Sequence, residues 1–100
     1  MTDIPTAATA PGGLRTALAA LAADACDGEP SATELLAAAS TPFVLLGVGS
    51  LAQLRLLDAV ESTYGVYFDL AGPNGFPGSL DALAENLVAE HGVTHPEDTA

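Results

Sequence analysis

Apolar residues recur at helical spacing in three separate stretches of this chain, and the gaps between them are rich in Gly, Pro, Ser and Thr. Leu14, Leu18, Leu21, Ala22 and Ala25 fall on one helix face, which predicts a first amphipathic helix ending near Cys26 and the pair Asp27-Gly28. Ser31-Ala32-Thr33-Glu34 has the spacing of a capping box, so a short helix is expected from Glu34 to Ala39 before Pro42 stops it; the alternative is a long structured loop. Ser50 to Tyr64 is the strongest helical pattern, closed by Gly65 where a left-handed residue is wanted. Val66 to Phe68 reads as a short extended apolar plug, and Gly72 to Gly78 as a loop anchored by Phe76. Ser79 then caps a last helix whose Leu80, Leu83, Leu87 and Val88 form one face and which ends near Gly92.

These elements make an all-α domain over residues 14–92, flanked by flexible tails at 1–13 and 93–100. Within the Ser50 helix two apolar groups separate on a helical wheel. Leu56, Leu57, Val60 and Tyr64 share the stripe assigned to the core. Leu51 and Leu54 lie well round from it, beside Arg55, Asp58 and Ser62. A helix of this length buries both groups only if it is wrapped on nearly all sides. Leu51 and Leu54 therefore read either as an exposed docking patch or as contacts beneath the preceding loop, through Phe43 or Leu46.

Composition narrows the chemistry. Twenty Ala and fifteen Leu, with no Trp, favour helices packed closely through small side chains. Thirteen acidic residues stand against Arg15 and Arg55, with no Lys, for a net charge of -11. Such a chain repels nucleic acid and anionic membrane, and is steered toward basic protein surfaces. No run approaches a membrane span and no signal peptide is visible, so the chain reads as cytoplasmic; it is also expected to be a monomer. Cys26, the single cysteine, excludes an internal disulfide and reads as a small packing residue near a helix end.

The segment Phe43-Val44-Leu45-Leu46-Gly47-Val48-Gly49-Ser50-Leu51 runs from a Gly-broken loop into the strongest helix. A serine there caps the helix with its own oxygen or, when modified, holds a phosphate at the positive end of the helix dipole. The segment resembles the attachment site of acyl and peptidyl carrier proteins, whose pattern is Leu-Gly-x-(Asp/His)-Ser-Leu. Tyr64-Gly65-Val66 resembles the close of that family's second helix, and Leu80-Asp81-Ala82-Leu83 the opening of its last; the resemblance runs from about Leu14 to His91. It implies a small carrier-type four-helix bundle, with a long connection between the first helix and the Ser50 helix. It also implies a 4'-phosphopantetheine arm, moved from coenzyme A onto Ser50 by a phosphopantetheinyl transferase. The chain would then be no enzyme but a discrete acyl carrier, holding thioesters for partners of a polyketide-like or hybrid pathway: acyl- or aminoacyl-loading enzymes and ketosynthase- or condensation-type enzymes. Leu51, Leu54, Arg55, Asp58 and Glu61 would form its docking surface.

Three positions depart from the family pattern. Gly49 stands where Asp or His is usual, Arg55 on a turn commonly acidic or neutral, and a Gly/Pro-rich loop where a short third helix is expected. Peptidyl or aminoacyl carriage remains an alternative, as does a helical adaptor that is never modified. Gly47-Val48-Gly49-Ser50-Leu51-Ala52 also fits the dinucleotide fingerprint G-x-G-x-x-A, which requires Phe43–Leu46 and Val66–Phe68 to be strands and Asp69 the ribose-binding acid. A nucleophile elbow is excluded by Val48 and Ala52, where glycines are needed. His91 and His95 read as tail residues and not as metal ligands, because Gly92 and Pro96 break the helical face between and beyond them. Glu61 and Glu85 read as solvated carboxylates on helix faces.

Overall fold

A computed structural model of the chain describes residues 12–69 and 75–93. Among them are four α-helices, α1 (Gly12–Ala25), α2 (Ala32–Ala37), α3 (Ser50–Tyr64) and α4 (Leu80–His91), together with a 3-10 turn at Phe43–Leu46. No strand occurs among the described residues. Gly12 and Gly13, expected in the N-terminal tail, form the start of α1; the rest of the expected tails, 1–11 and 94–100 with His95, and residues 70–74 lie outside the described residues.

Helix α1 is the centre of the architecture, since α2, α3 and α4 each pack against it. Its sequence explains how three neighbours fit around one helix. Leu14 and Leu18 fill the deepest positions, while Ala19, Ala22 and Ala25 let neighbouring backbones approach closely. The core is completed by Leu35, Phe43, Val48, Leu56, Leu57, Val60, Phe68, Leu80, Leu83, Ala84, Leu87 and Val93. Each fully buried Leu contributes roughly 1.5–3 kcal/mol of transfer free energy. Among the described residues, no polar or charged residue is buried in this core.

Local signals in the sequence set the helix ends. Ser31 and Glu34 form the expected capping box, the Glu34 N–H donating to Ser31 Oγ at 3.2 Å and the Ser31 N–H to Glu34 Oε1 at 2.8 Å. Ser79 Oγ accepts from the Ala82 N–H at 3.1 Å. Gly65 and Gly92 close α3 and α4 with φ of 67° and 65°, a region open to Gly without steric cost.

Elsewhere the fold departs from the sequence pattern. The apolar run Phe43–Leu46 is a 3-10 turn that buries Phe43 and turns Val44 and Leu45 outward, 70% and 74% exposed. On α4 the fourth apolar position facing the core is Ala84, and Val88 is exposed; the smaller side chain suits a close helix contact. Val93, expected to fray, is buried, and its N–H donates to the Leu87 carbonyl at 2.9 Å. His91, expected in a tail, belongs to the last turn of α4 and meets the Phe68 ring edge-on at 5.2 Å. In the Val66–Phe68 plug only Phe68 is buried, whereas Tyr67 is turned outward. Residues 75–79 form no helix.

Two ties hold the long connection before α3 against the start of α4. The Phe43 N–H donates to the Gly78 carbonyl at 2.7 Å, and the Asp81 N–H to the Ala39 carbonyl at 2.9 Å. Arg15 Nε lies 2.6 Å from Asp81 Oδ1, pinning the same helix start to α1. Among the described residues, no helix is long and apolar enough to cross a membrane.

Candidate functional site

Ser50 is the first residue of α3 and not its cap. The N-cap is Gly49, in extended conformation (φ -74°, ψ 178°), which brings no side chain to the helix end. A serine before a helical run is the usual capping signal, so the sequence pattern puts the cap one residue too late. The consequence is chemical. The Ser50 hydroxyl does not cap the helix, and its side chain is exposed.

The backbone leading to it is held firmly. Gly47 turns the chain at φ 83°, Val48 inserts into the core, and the Val48 N–H donates to the Phe43 carbonyl at 3.0 Å. Gln53 reaches back from the first turn of α3, its Nε2 donating to the Val48 carbonyl at 2.9 Å. Gln53 is not among the site residues expected from sequence; a polar residue one turn into a helix that follows a Gly-rich loop is the signal that points to it.

Two clefts meet at Ser50. One, of about 390 Å³, runs between the C-terminal turn of α1 and the start of α3; its polar walls include Asp27, Glu29 and Arg55, with Cys26 and Leu51 beside them. The other, of about 260 Å³, is apolar and lies between Gln53, Leu54 and Leu57 of α3 and Phe76 of the loop before α4. Leu51 and Leu54 are 63% and 53% exposed, so they do not pack beneath the preceding loop. Leu56, Leu57 and Val60 are buried as their stripe requires, and Tyr64 is half-buried against the core.

The remaining expected site residues differ in their engagement. Arg55 Nη1 lies 3.7 Å from Asp27 Oδ2, an exposed and weak ion pair. Asp27 holds a left-handed conformation (φ 58°), which Asp tolerates better than most residues. That turn is legible in the sequence, but its pairing with α3 is not. Asp58 is exposed. Glu61 is not simply solvated: its Oε2 accepts the Phe68 N–H at 2.7 Å and fixes the chain as it leaves α3. Phe68 in turn meets Phe76 edge-on at 5.5 Å, which supports the wall of the apolar cleft.

Cys26 lines the polar cleft, half-buried against the core. Burial pushes its thiol above the ordinary value of 9.0, and neighbouring Asp27 pushes it the same way. It is therefore a poor nucleophile at neutral pH. Among the described residues no group of three or more His, Cys, Asp or Glu is arranged to hold a metal ion. The dinucleotide fingerprint loses its structural context as well, because Phe43–Leu46 is a 3-10 turn and Val66–Phe68 forms no strand. No family model matches the chain, and neither a curated protein nor a solved structure does.

Proposed function

We propose that the chain is a discrete carrier protein and that Ser50 bears a 4'-phosphopantetheine arm. The observation that carries this reading is the state of Ser50: an exposed hydroxyl, not spent on capping, on the first turn of α3 and at the meeting point of two clefts. The resemblance of Leu46-Gly47-Val48-Gly49-Ser50-Leu51 to carrier attachment sites gives that hydroxyl its chemistry. The residues present fit such a group, since both clefts open at the attachment residue. Once bound, the arm would supply a terminal thiol for thioester chemistry.

Everything else follows from what the chain holds still or leaves bare. Val48, Gln53 and the Phe43–Gly78 tie fix the approach to Ser50, so a transferase meets a well-placed hydroxyl. Leu51 and Leu54 offer apolar contact around it, with Arg55 and Asp58 as charged neighbours. Glu61, already bonded to Phe68, acts mainly to position the chain beyond α3. The net charge of -11 favours partner enzymes with basic surfaces.

The test is intact-protein mass after incubation with coenzyme A and a broad-specificity phosphopantetheinyl transferase, beside Ser50→Ala. A gain of one phosphopantetheinyl group, abolished in the variant, is the expected outcome. An unchanged mass with several transferases, on protein that is folded, would sink the carrier reading and favour an unmodified adaptor that binds through Leu51 and Leu54.

A further inference from the structure

The sequence holds two arginines against thirteen carboxylates, and the fold treats the two differently. Arg15 is committed, its Nε 2.6 Å from Asp81 Oδ1 and both side chains largely covered. Arg55 is exposed and only loosely held, 3.7 Å from an exposed Asp27. It lines the same cleft as Ser50. Arg55 stands five residues beyond Ser50, about 7.5 Å farther along α3 and about 140° round it, so what brings the two together is the cleft that both line. In a strongly acidic molecule, the loosely held cation thus shares a cleft with an exposed hydroxyl.

We infer that the polar cleft seats a phosphate ester carried on Ser50, with Arg55 as its counter-ion and Asp27 as the side chain from which Arg55 is drawn. The identity of the ester as a phosphopantetheinyl diester rests on the carrier reading; the seat itself requires only a phosphate on that oxygen. Among the described residues, four titratable or charged side chains face the cleft: Cys26, Asp27, Glu29 and Arg55. Asp27 and Glu29 repel a phosphate, and Arg55 offsets them. A guanidinium forms charge-assisted, bidentate contacts to the phosphate oxygens of a mono- or diester that Asp27 does not make at 3.7 Å, and in a monoester it also favours the second ionisation. In the unmodified protein, Asp27 keeps Arg55 over the cleft. Modification then exchanges one anion for a better one, with no rearrangement of α3.

The test places phosphoserine at position 50 during translation, so that no transferase is needed, and follows the phosphorus NMR signal with pH. The expected midpoint of the second ionisation is about half a pH unit lower with Arg55 than in the Arg55→Gln protein, because a nearby opposite charge favours the ionised form. Arg55→Lys should keep part of that lowering. Asp27→Asn should lower the midpoint further, and by less in the Arg55→Gln background, since its effect acts partly through Arg55. Equal midpoints with and without the Arg55→Gln substitution, at unchanged helicity, would overturn the inference. Failure of a transferase to modify Ser50 would end the carrier reading and leave this result standing. Equal midpoints in a protein that accepts the arm would end this inference alone.

Discussion

The two sides of Ser50 are built from different materials. Toward α1 the cleft is walled by charged side chains, Asp27, Glu29 and Arg55, with a half-buried thiol among them. Toward α4 the wall is Leu54, Leu57 and Phe76. Their origins differ as much as their chemistry. The polar side is formed by the turn that ends α1, the apolar side by a helix face opposite a loop residue held through Phe68. On the carrier reading proposed above, Ser50 would have a charged environment for its ester on one side and an apolar one for a partner or a cargo on the other. Asymmetry around Ser50 thus does not come from its own helix alone.

The sharpest way to probe the apolar side is to set Leu54 against Leu56, two residues along the same helix. Leu56→Ala should cost about 2–5 kcal/mol in urea unfolding, as for other buried leucines. Leu54→Glu should leave stability within about 0.5 kcal/mol, as expected of a surface change, yet lower kcat/KM for arm transfer by about tenfold, as loss of one good apolar contact would. Unchanged transfer in folded Leu54→Glu protein would remove the apolar side from the docking surface.

On the polar side, Cys26 gives a pH-dependent signal. Its thiol is raised in the folded protein by burial and by Asp27, so the fold favours the protonated form. The resulting stability is complete below the unfolded-state value and is lost as pH rises through the higher folded value. Urea midpoints should therefore decline on the alkaline side of pH 9.0, and decline less in Cys26→Ala. Tyr64, raised by burial, contributes in the same direction and is present in both proteins. An identical alkaline decline in the two proteins would remove Cys26 from the account.

The smallest expected effect is at Gly49. A Cβ there meets nothing within 4 Å, and its φ is ordinary, so the glycine is not sterically required. Gly49→Asp should add a few tenths of a kcal/mol, about 0.3, by capping α3. The same carboxylate would stand beside a phosphate on Ser50 and should raise its second ionisation midpoint. A variant that gains stability without that rise would show that the phosphate sits away from the helix end.

What is legible in the sequence is what is local. Ser31 with Glu34, Ser79, Gly65 and Gly92 act within a few residues of themselves, and each lies where the pattern places it. The separation of Leu51 and Leu54 from Leu56, Leu57 and Val60 also follows from helical geometry alone. What the sequence conceals depends on distant residues. Nothing near Glu61 announces that it will accept the Phe68 N–H, and nothing near Asp27 announces Arg55. The 3-10 turn at Phe43–Leu46 is hidden for a related reason: four apolar residues carry no period, so only the core decides which one enters. The one-residue error at Ser50 arises between two acceptable caps, Gly and Ser.

The apolar groove has walls with unequal freedom to change. Leu54 and Leu57 belong to the helix that begins at Ser50; Leu57 is buried in the core and Leu54 is exposed beside Ser50. Phe76 lies outside that helix and bears on Phe68, which Glu61 secures by a backbone contact indifferent to side-chain identity at position 68. The width and shape of the groove can therefore be retuned by substitution at Phe76 without changing a residue of α3. If the carrier reading holds, one loop residue could set what the groove prefers while the helix that begins at Ser50 keeps its own sequence.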